Sequence, residues 1–264
     1  MPTAHEILEP EEHVAPEAAP RPAISPIRRW VNYLVFLPLV GLATAFFGTI
    51  SLACGLWDKD GSQQHLCARL WSRVLLRIAL SPVTVEHAER LPRETAVYAS
   101  NHLSYYDTPV LFAKLPFQFR ILAKAPLWKI PFIGWYLNRS GQVPIDQSSA
   151  RAGVTSLGRG VKTLQAGLPL MVFPEGGRAA TGKLQDMVAG AAWMAIKAQV
   201  PLVPLTLVGT YELLPIHVYA LLPRPLKLIV GEPISTVGMT TKEADALTQR
   251  LRAVIYETYV ANHG

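Results

Sequence analysis

From Trp30 to Trp57 the chain runs for 28 residues without an Asp, Glu, Lys or Arg. About 20 apolar residues suffice to cross the hydrocarbon core of a bilayer as a helix. The two tryptophans stand where interfacial anchors are usually found. Arg28 and Arg29 precede the run, and Asp58, Lys59 and Asp60 follow it. Pro38, Gly41 and Gly48 interrupt it, so a bent hairpin that re-enters one leaflet competes with a single span. A core helix fits less well, because the run is long. A signal peptide also fits less well: Ala43-Thr44-Ala45 resembles a cleavage site, but the 29 residues ahead are many for an n-region and the apolar run continues beyond it. The segment is expected to hold the chain at a membrane.

The flanks differ from it in kind. Residues 1–28 carry six prolines among glutamates and alanines. Such a segment buries too little surface to offset the entropy of ordering it, so a disordered tail is expected. Residues 1–29 hold five Glu against three Arg, a net of −2, leaving 22 basic and 14 acidic residues, or +8, in the remainder. A basic body on an apolar chain suits an anionic membrane surface or a phosphorylated substrate. Nucleic acid is the rival partner, and no basic run or aromatic-interleaved motif supports it. In residues 65–80, Arg69, Arg73 and Arg77 recur at four-residue spacing, with Leu66, Leu70, Val74 and Leu75 read as the other side. That pattern fits a helix lying on a membrane surface or a domain helix with a solvated arginine face.

After Pro82 the pattern changes. Short apolar runs at 96–100, 119–123, 168–173, 202–208 and 226–230 alternate with helical faces, one through Val154, Leu157, Val161 and Leu164 and another through Leu247, Leu251, Val254 and Thr258. Strands alternating with helices predict a layered α/β domain, with a mixed sheet flanked by helices, over residues 83–264. Residues 29–82 then form the anchoring helix or helical hairpin and the basic helix. The two cysteines, Cys54 and Cys67, are too few for a disulfide framework or a structural zinc site. No G-x-S-x-G elbow and no metal-ligand spacing is present, so a metal site is not expected.

The polar residues that could do chemistry sit at strand ends. The run 96–100 leads into Asn101-His102-Leu-Ser-Tyr-Tyr-Asp107-Thr-Pro109, and α/β proteins keep their sites where a strand ends in a loop that opens a helix. On one continuous helix His102 and Asp107 would diverge by about 140°. They meet only if the residues between them turn back. In that arrangement Asp107 accepts from one imidazole nitrogen, fixes the tautomer and leaves the other nitrogen as a base. After 168–173 comes Phe173-Pro174-Glu175-Gly176-Gly177-Arg178. Its glycines permit close backbone approach and positive φ, and Arg178 offers a fork of donors that suits phosphate.

An H-x4-D after one strand and an F-P-E-G-x-R after another, in that order, resemble the glycerolipid acyltransferase family, and within it the bacterial 1-acylglycerol-3-phosphate acyltransferases. The lead-in Trp71–Leu76, the stretch Lys124–Trp135 and the late strand Val203–Thr210 extend the likeness. The resemblance implies a one-step transfer of an acyl group from acyl-CoA or acyl carrier protein, used as co-substrate with no other cofactor, to the hydroxyl of lysophosphatidic acid. His102, oriented by Asp107, would take the proton. Glu175, Gly176, Gly177 and Arg178 match positions that hold the glycerol phosphate, and Lys124 matches a lysine that meets the same group. Membrane lipids and a lysophospholipid are the implied partners. Cytosolic thioesters imply an inner-membrane location with the domain facing the cytoplasm.

The chain also departs from that pattern. Gly177 and Ala179 replace hydroxyl residues, residues 142–147 end in Gln147 where an arginine is usual, and no lysine falls in 186–190. Arg139 and Arg151 are the candidates to supply the absent cation. Fewer phosphate partners keep open a less anionic acceptor such as a lyso-aminolipid, or a silent lipid-binding protein of the same fold.

Overall fold

The computed structural model describes residues 24–178, 181–216, 218 and 220–263. The expected tail lies outside the described residues up to position 23. Its last residues do not belong to it, because Ser25 caps a helix that starts at Pro26 by accepting from the Arg28 N–H. Serine before a proline in the first turn is a strong helix start.

That helix, α1 (Pro26–Cys54), is continuous, about 43 Å long at 1.5 Å per residue. The chain does not double back within it. Residues Asn32–Phe36 form a wider π turn, in which the Leu37 N–H reaches back to the Asn32 carbonyl. This turn lies just ahead of Pro38, whose ring would crowd a tighter one. One stripe of α1 (Asn32, Phe36, Val40, Ala43, Phe47, Ser51 and Gly55) is at least partly covered. The rest, including Trp30, Leu34, Leu42 and Phe46, is exposed. The covered stripe is pinned at both ends. The Asn32 amide exchanges hydrogen bonds with the Leu221 backbone, and Arg139 Nη1 donates to the Gly55 carbonyl at 2.9 Å.

The next helix, α2 (Ser62–Ile78), lies against α1, with Trp71 Nε1 donating to Thr44 Oγ1. It buries His65, Ala68, Ser72, Leu75 and Leu76, as a domain helix does. The expected division of its faces is corrected here. Leu66 and Leu70 are exposed on the same side as Arg73 and Arg77, and Arg69 turns inward to donate to the Leu115 and Phe117 carbonyls.

The sheet follows: β1 (Val83–Glu86), β2 (Val97–Ser100), α3 (Asp107–Lys114), β3 (Arg120–Lys124), a 3-10 turn (Ala125–Lys129), α4 (Ile133–Arg139), β4 (Val143–Ile145), α5 (Ala150–Gln165), β5 (Leu170–Val172), α6 (Gly190–Ala198), β6 (Leu202–Val208), α7 (Thr210–Leu213), β7 (Leu226–Val230) and α8 (Ala244–Asn262). Its seven strands lie in the order β1-β7-β6-β2-β5-β3-β4. Strands β6, β2, β5, β3 and β4 are mutually parallel. β7 runs antiparallel to β6, and β1 is parallel to β7. The sheet is therefore mixed, as expected. The two strands not read from the sequence are its outermost ones. β4 is only three residues with Pro144 at its centre, which an edge tolerates because a ladder bond is missing anyway.

Alternate residues of each strand serve opposite cores. Val97, Ala99, Leu170, Val172 and Leu202 pack with α5, α6 and α8. Tyr98, Met171, Val203, Leu205 and Leu207 pack with α2 and α3, and Phe36, Val40 and Ala43 of α1 close over that second core. Side chains with helices on both faces leave the C-terminal edge of β2, β5 and β3 as the open margin of the sheet.

Candidate active site

At that margin β2 releases the chain into a loop that is almost wholly buried. Asn101 pins the exit: its Nδ2 donates to the Leu207 carbonyl and its Oδ1 accepts the Leu207 N–H at 2.7 Å. The next residues curl, with Ser104 Oγ donating to the Leu214 carbonyl and accepting the Tyr106 N–H. Asp107 opens α3, and its carboxylate reaches back over the curl. Oδ2 accepts the Leu103 N–H at 2.7 Å, the Ser104 N–H at 2.8 Å and His102 Nδ1 at 2.9 Å. The pair expected from the strand-end motif is thus assembled, and the turn between its members is what brings them together.

His102 is held on three sides. Asp107 holds Nδ1. Phe173 stacks on the ring with centroids 3.9 Å apart and planes at 16°. The His102 backbone N–H donates to Glu175 Oε1 at 2.7 Å. Nε2 forms no hydrogen bond among the described residues. With Nδ1–H directed to a carboxylate, the neutral ring presents a lone pair at Nε2.

Glu175 corrects an expectation. The family likeness assigns it to the glycerol phosphate, but its carboxylate is 3% exposed and both oxygens accept backbone N–H groups, the second from Gln185 at 3.0 Å. Burial pushes its pKa up to about 8. The two N–H bonds and Arg252 pull the other way, and the nearby Asp107 adds to the rise. Glu175 is a positioning residue that sets the backbone of His102, and it does not offer itself to a phosphate.

The other members of that loop face outward. Gly176 adopts φ +68°, and a Cβ placed on Gly177 would lie 3.9 Å from Lys124 Nζ. Lys124, at the end of β3, therefore extends its ammonium to the turn after β5. Arg178 is exposed, with its guanidinium carbon 4.3 Å from the centre of the Tyr105 ring. Adjacent strands β2, β5 and β3 thus bring a base and two cations to one edge. Ala179 lies outside the described residues.

Of the two candidate replacement cations, Arg139 donates to the Gly55 carbonyl and ties α4 to the end of α1. Arg151 lies on the first turn of α5, in a hollow of about 300 Å³ shared with Asp146, Thr155 and Arg159. Tyr105 and Phe173 were not expected as functional residues, although both fall inside the quoted motifs. Their one prior signal is an aromatic ring next to the chemistry. Among the described residues no group of three or more His, Cys, Asp or Glu is placed to hold a metal ion.

A mixed sheet thus presents a His–Asp pair and a glycine-rich, cationic loop at one edge, and known proteins resemble it. A family model described as acyltransferase matches residues 82–208. It is 32% identical over 197 residues, 74% of this chain and 53% of the other, to a chloroplastic 1-acyl-sn-glycerol-3-phosphate acyltransferase of Arabidopsis thaliana. It is 27% identical over 234 residues, 86% of this chain and 90% of the other, to the 1-acyl-sn-glycerol-3-phosphate acyltransferase of Pseudomonas aeruginosa. The crystal structure of the 1-acyl-sn-glycerophosphate (LPA) acyltransferase PlsC from Thermotoga maritima superposes with a TM-score of 0.73 at 26% identity, covering 88% of this chain and 95% of that one. The chain spans about half the length of the two plant relatives it matches first.

Proposed function

We propose that this chain moves a fatty acyl group from a thioester, acyl-CoA or acyl carrier protein, to the free hydroxyl of lysophosphatidic acid at a membrane surface, giving phosphatidic acid. The observation that carries the reading is Asp107 Oδ2, which gathers His102 Nδ1 and two backbone N–H groups and leaves Nε2 free beside two exposed cations. No serine or cysteine stands in a nucleophile elbow, so the base acts on the substrate hydroxyl itself. As the hydroxyl oxygen attacks the thioester carbonyl, its proton passes to Nε2. The C–S bond then breaks, and the same proton leaves with the thiolate as thiol. Lys124 and Arg178 take the phosphate, and fixing it places the hydroxyl against the base. The names of the relatives support this acceptor.

The membrane part of the proposal rests on α1. Its docked stripe runs the full length of the helix, from Asn32 to Gly55, so the helix lies alongside the domain. Its exposed apolar face is proposed to sit in the cytoplasmic leaflet, with the domain facing the cytoplasm where its donors are made.

The test is a panel of purified lysolipids and both donor types with the detergent-solubilised protein. Lysophosphatidic acid is expected to be the best acceptor, and if it proves the poorest the reading fails. The second reading, a less anionic lysolipid, is favoured by Gly177, by Gln147 and by the absence of lysine in 186–190, which remove phosphate partners that the family pattern supplies.

A further inference from the structure

Among the described residues of the catalytic domain, the segment after Lys124 carries the largest group of exposed large apolar side chains close together in the chain. Leu127 is 37% exposed, Ile130 44%, Phe132 65%, Ile133 45% and Trp135 58%. Scattered surface apolar residues need no explanation, but a contiguous group does. This group is built stiffly. Phe132 adopts φ +62°, a left-handed conformation that a bulky residue rarely takes. A Cβ on Gly134 would fall 2.1 Å from the Trp128 carbonyl oxygen, so the two turns touch through bare backbone. The Phe132 and Trp135 rings pack edge to face with centroids 5.1 Å apart. A strained, close-packed tip that ends in exposed aromatic rings is presenting those rings.

We infer that residues 127–135 are a second membrane-insertion element, seated in an anionic bilayer beside α1. Three observations choose this occupant. The tip is tied to the end of α1, because Arg139 at the far end of α4 donates to Gly55 just past that helix. Trp57, 58% exposed, and Leu56, 73% exposed, stand at that same end. Lys124 and Lys129 flank the rings, the pattern of aromatic side chains at headgroup depth with cations above them. The tip also begins at Lys124, whose ammonium reaches Gly177, so its insertion brings the edge carrying His102 down to the lipid surface. A single-tailed acceptor then reaches the base with its chain still in the bilayer.

This inference rests on the membrane reading of α1, and the test separates the two. In a Cys54→Ala, Cys67→Ala background, single cysteines replace Phe132 in the tip, Leu42 on the exposed face of α1, and Val237 at the opposite edge of the sheet. Each is labelled with an environment-sensitive fluorophore and mixed with phosphatidylglycerol-containing phosphatidylcholine vesicles, with and without brominated lipid. The expected result is a blue-shifted, several-fold brighter signal quenched by bromine at positions 42 and 132, and no change at 237. A response at 42 without one at 132 overturns the tip and spares the anchor. No response at either overturns both, and an equal response at all three shows unspecific adsorption and overturns the tip. If Phe132→Cys does not fold, Ile130→Cys carries the same test.

Discussion

On the β2 side of the cleft, Asp107 is fully buried, its Oδ2 takes three donors, and His102 is fixed by a carboxylate, a ring and a backbone bond. On the β3 and β5 side, Lys124 and Arg178 are exposed, and Arg178 lies over the face of Tyr105. On the proposed function, the difference follows from what each side must do. A proton moves along one nitrogen's lone pair, so the base needs its direction set in advance. A phosphate with several oxygens can be met by a point charge from many directions, so mobile cations serve it well enough.

The largest expected effect is on the rigid side. His102→Ala should lower kcat by ~100-fold or more while protein level and membrane attachment persist. Asp107→Asn should come close to it, since the amide cannot accept three donors at one oxygen and hold the same tautomer. Turnover in washed membranes with matched protein decides this, and near-normal rates in either variant would erase the contrast. Glu175→Gln comes next, because it sets an amide N–H₂ against the Gln185 N–H. A loss of roughly 1–3 kcal/mol is expected for the disrupted buried bond, read from denaturant midpoints.

Glu175 also gives stability a pH dependence. The fold keeps its proton up to about pH 8, whereas an unfolded chain releases it near 4.5. The group's contribution is whole below pH 4.5 and drains away as pH rises toward 8. The Glu175→Gln melting temperature should lack that decline. On the open side, Arg178→Ala and Lys124→Ala should each raise KM for lysophosphatidic acid by about tenfold with little change in kcat, as lost charge-assisted bonds do. The smallest effect is expected from Tyr105→Leu. A cation over an exposed ring contributes about 0.5–1 kcal/mol, a two- to five-fold rise in KM, and Tyr105→Phe should keep it. A kcat effect from Tyr105→Leu larger than its KM effect would move this residue to the rigid side.

The rigid side was the more legible of the two in the sequence. A strand end followed by His and then Asp five residues later states its own geometry once the intervening turn is granted. The five inner strands could also be read, because burial on both faces makes continuous apolar runs. Outer strands β1 and β4 are only partly buried, and Thr84, Glu86 and Pro144 break their apolar runs. Glu175 was assigned to the phosphate on the family likeness alone, and only the fold shows that two backbone N–H groups occupy it. Arg139 could not be placed either, since its partner, Gly55, lies 84 positions away. The α2 face was drawn wrongly because a stripe of arginines says nothing about which neighbouring leucines share its side.

Asn32 has a consequence for how the chain is made. Its amide meets the Leu221 backbone across 189 positions, so a segment synthesised early waits for one synthesised late. Until residue 221 has been translated, the amide has the Arg28 carbonyl for its Nδ2, but its Oδ1 lacks the Leu221 N–H. Docking of the helix is thereby tied to completion of the domain. A chain shortened to start after Gly55 would strand the Leu221 amide and bare the apolar surface under Phe36 and Val40, and should be recovered mainly as aggregate.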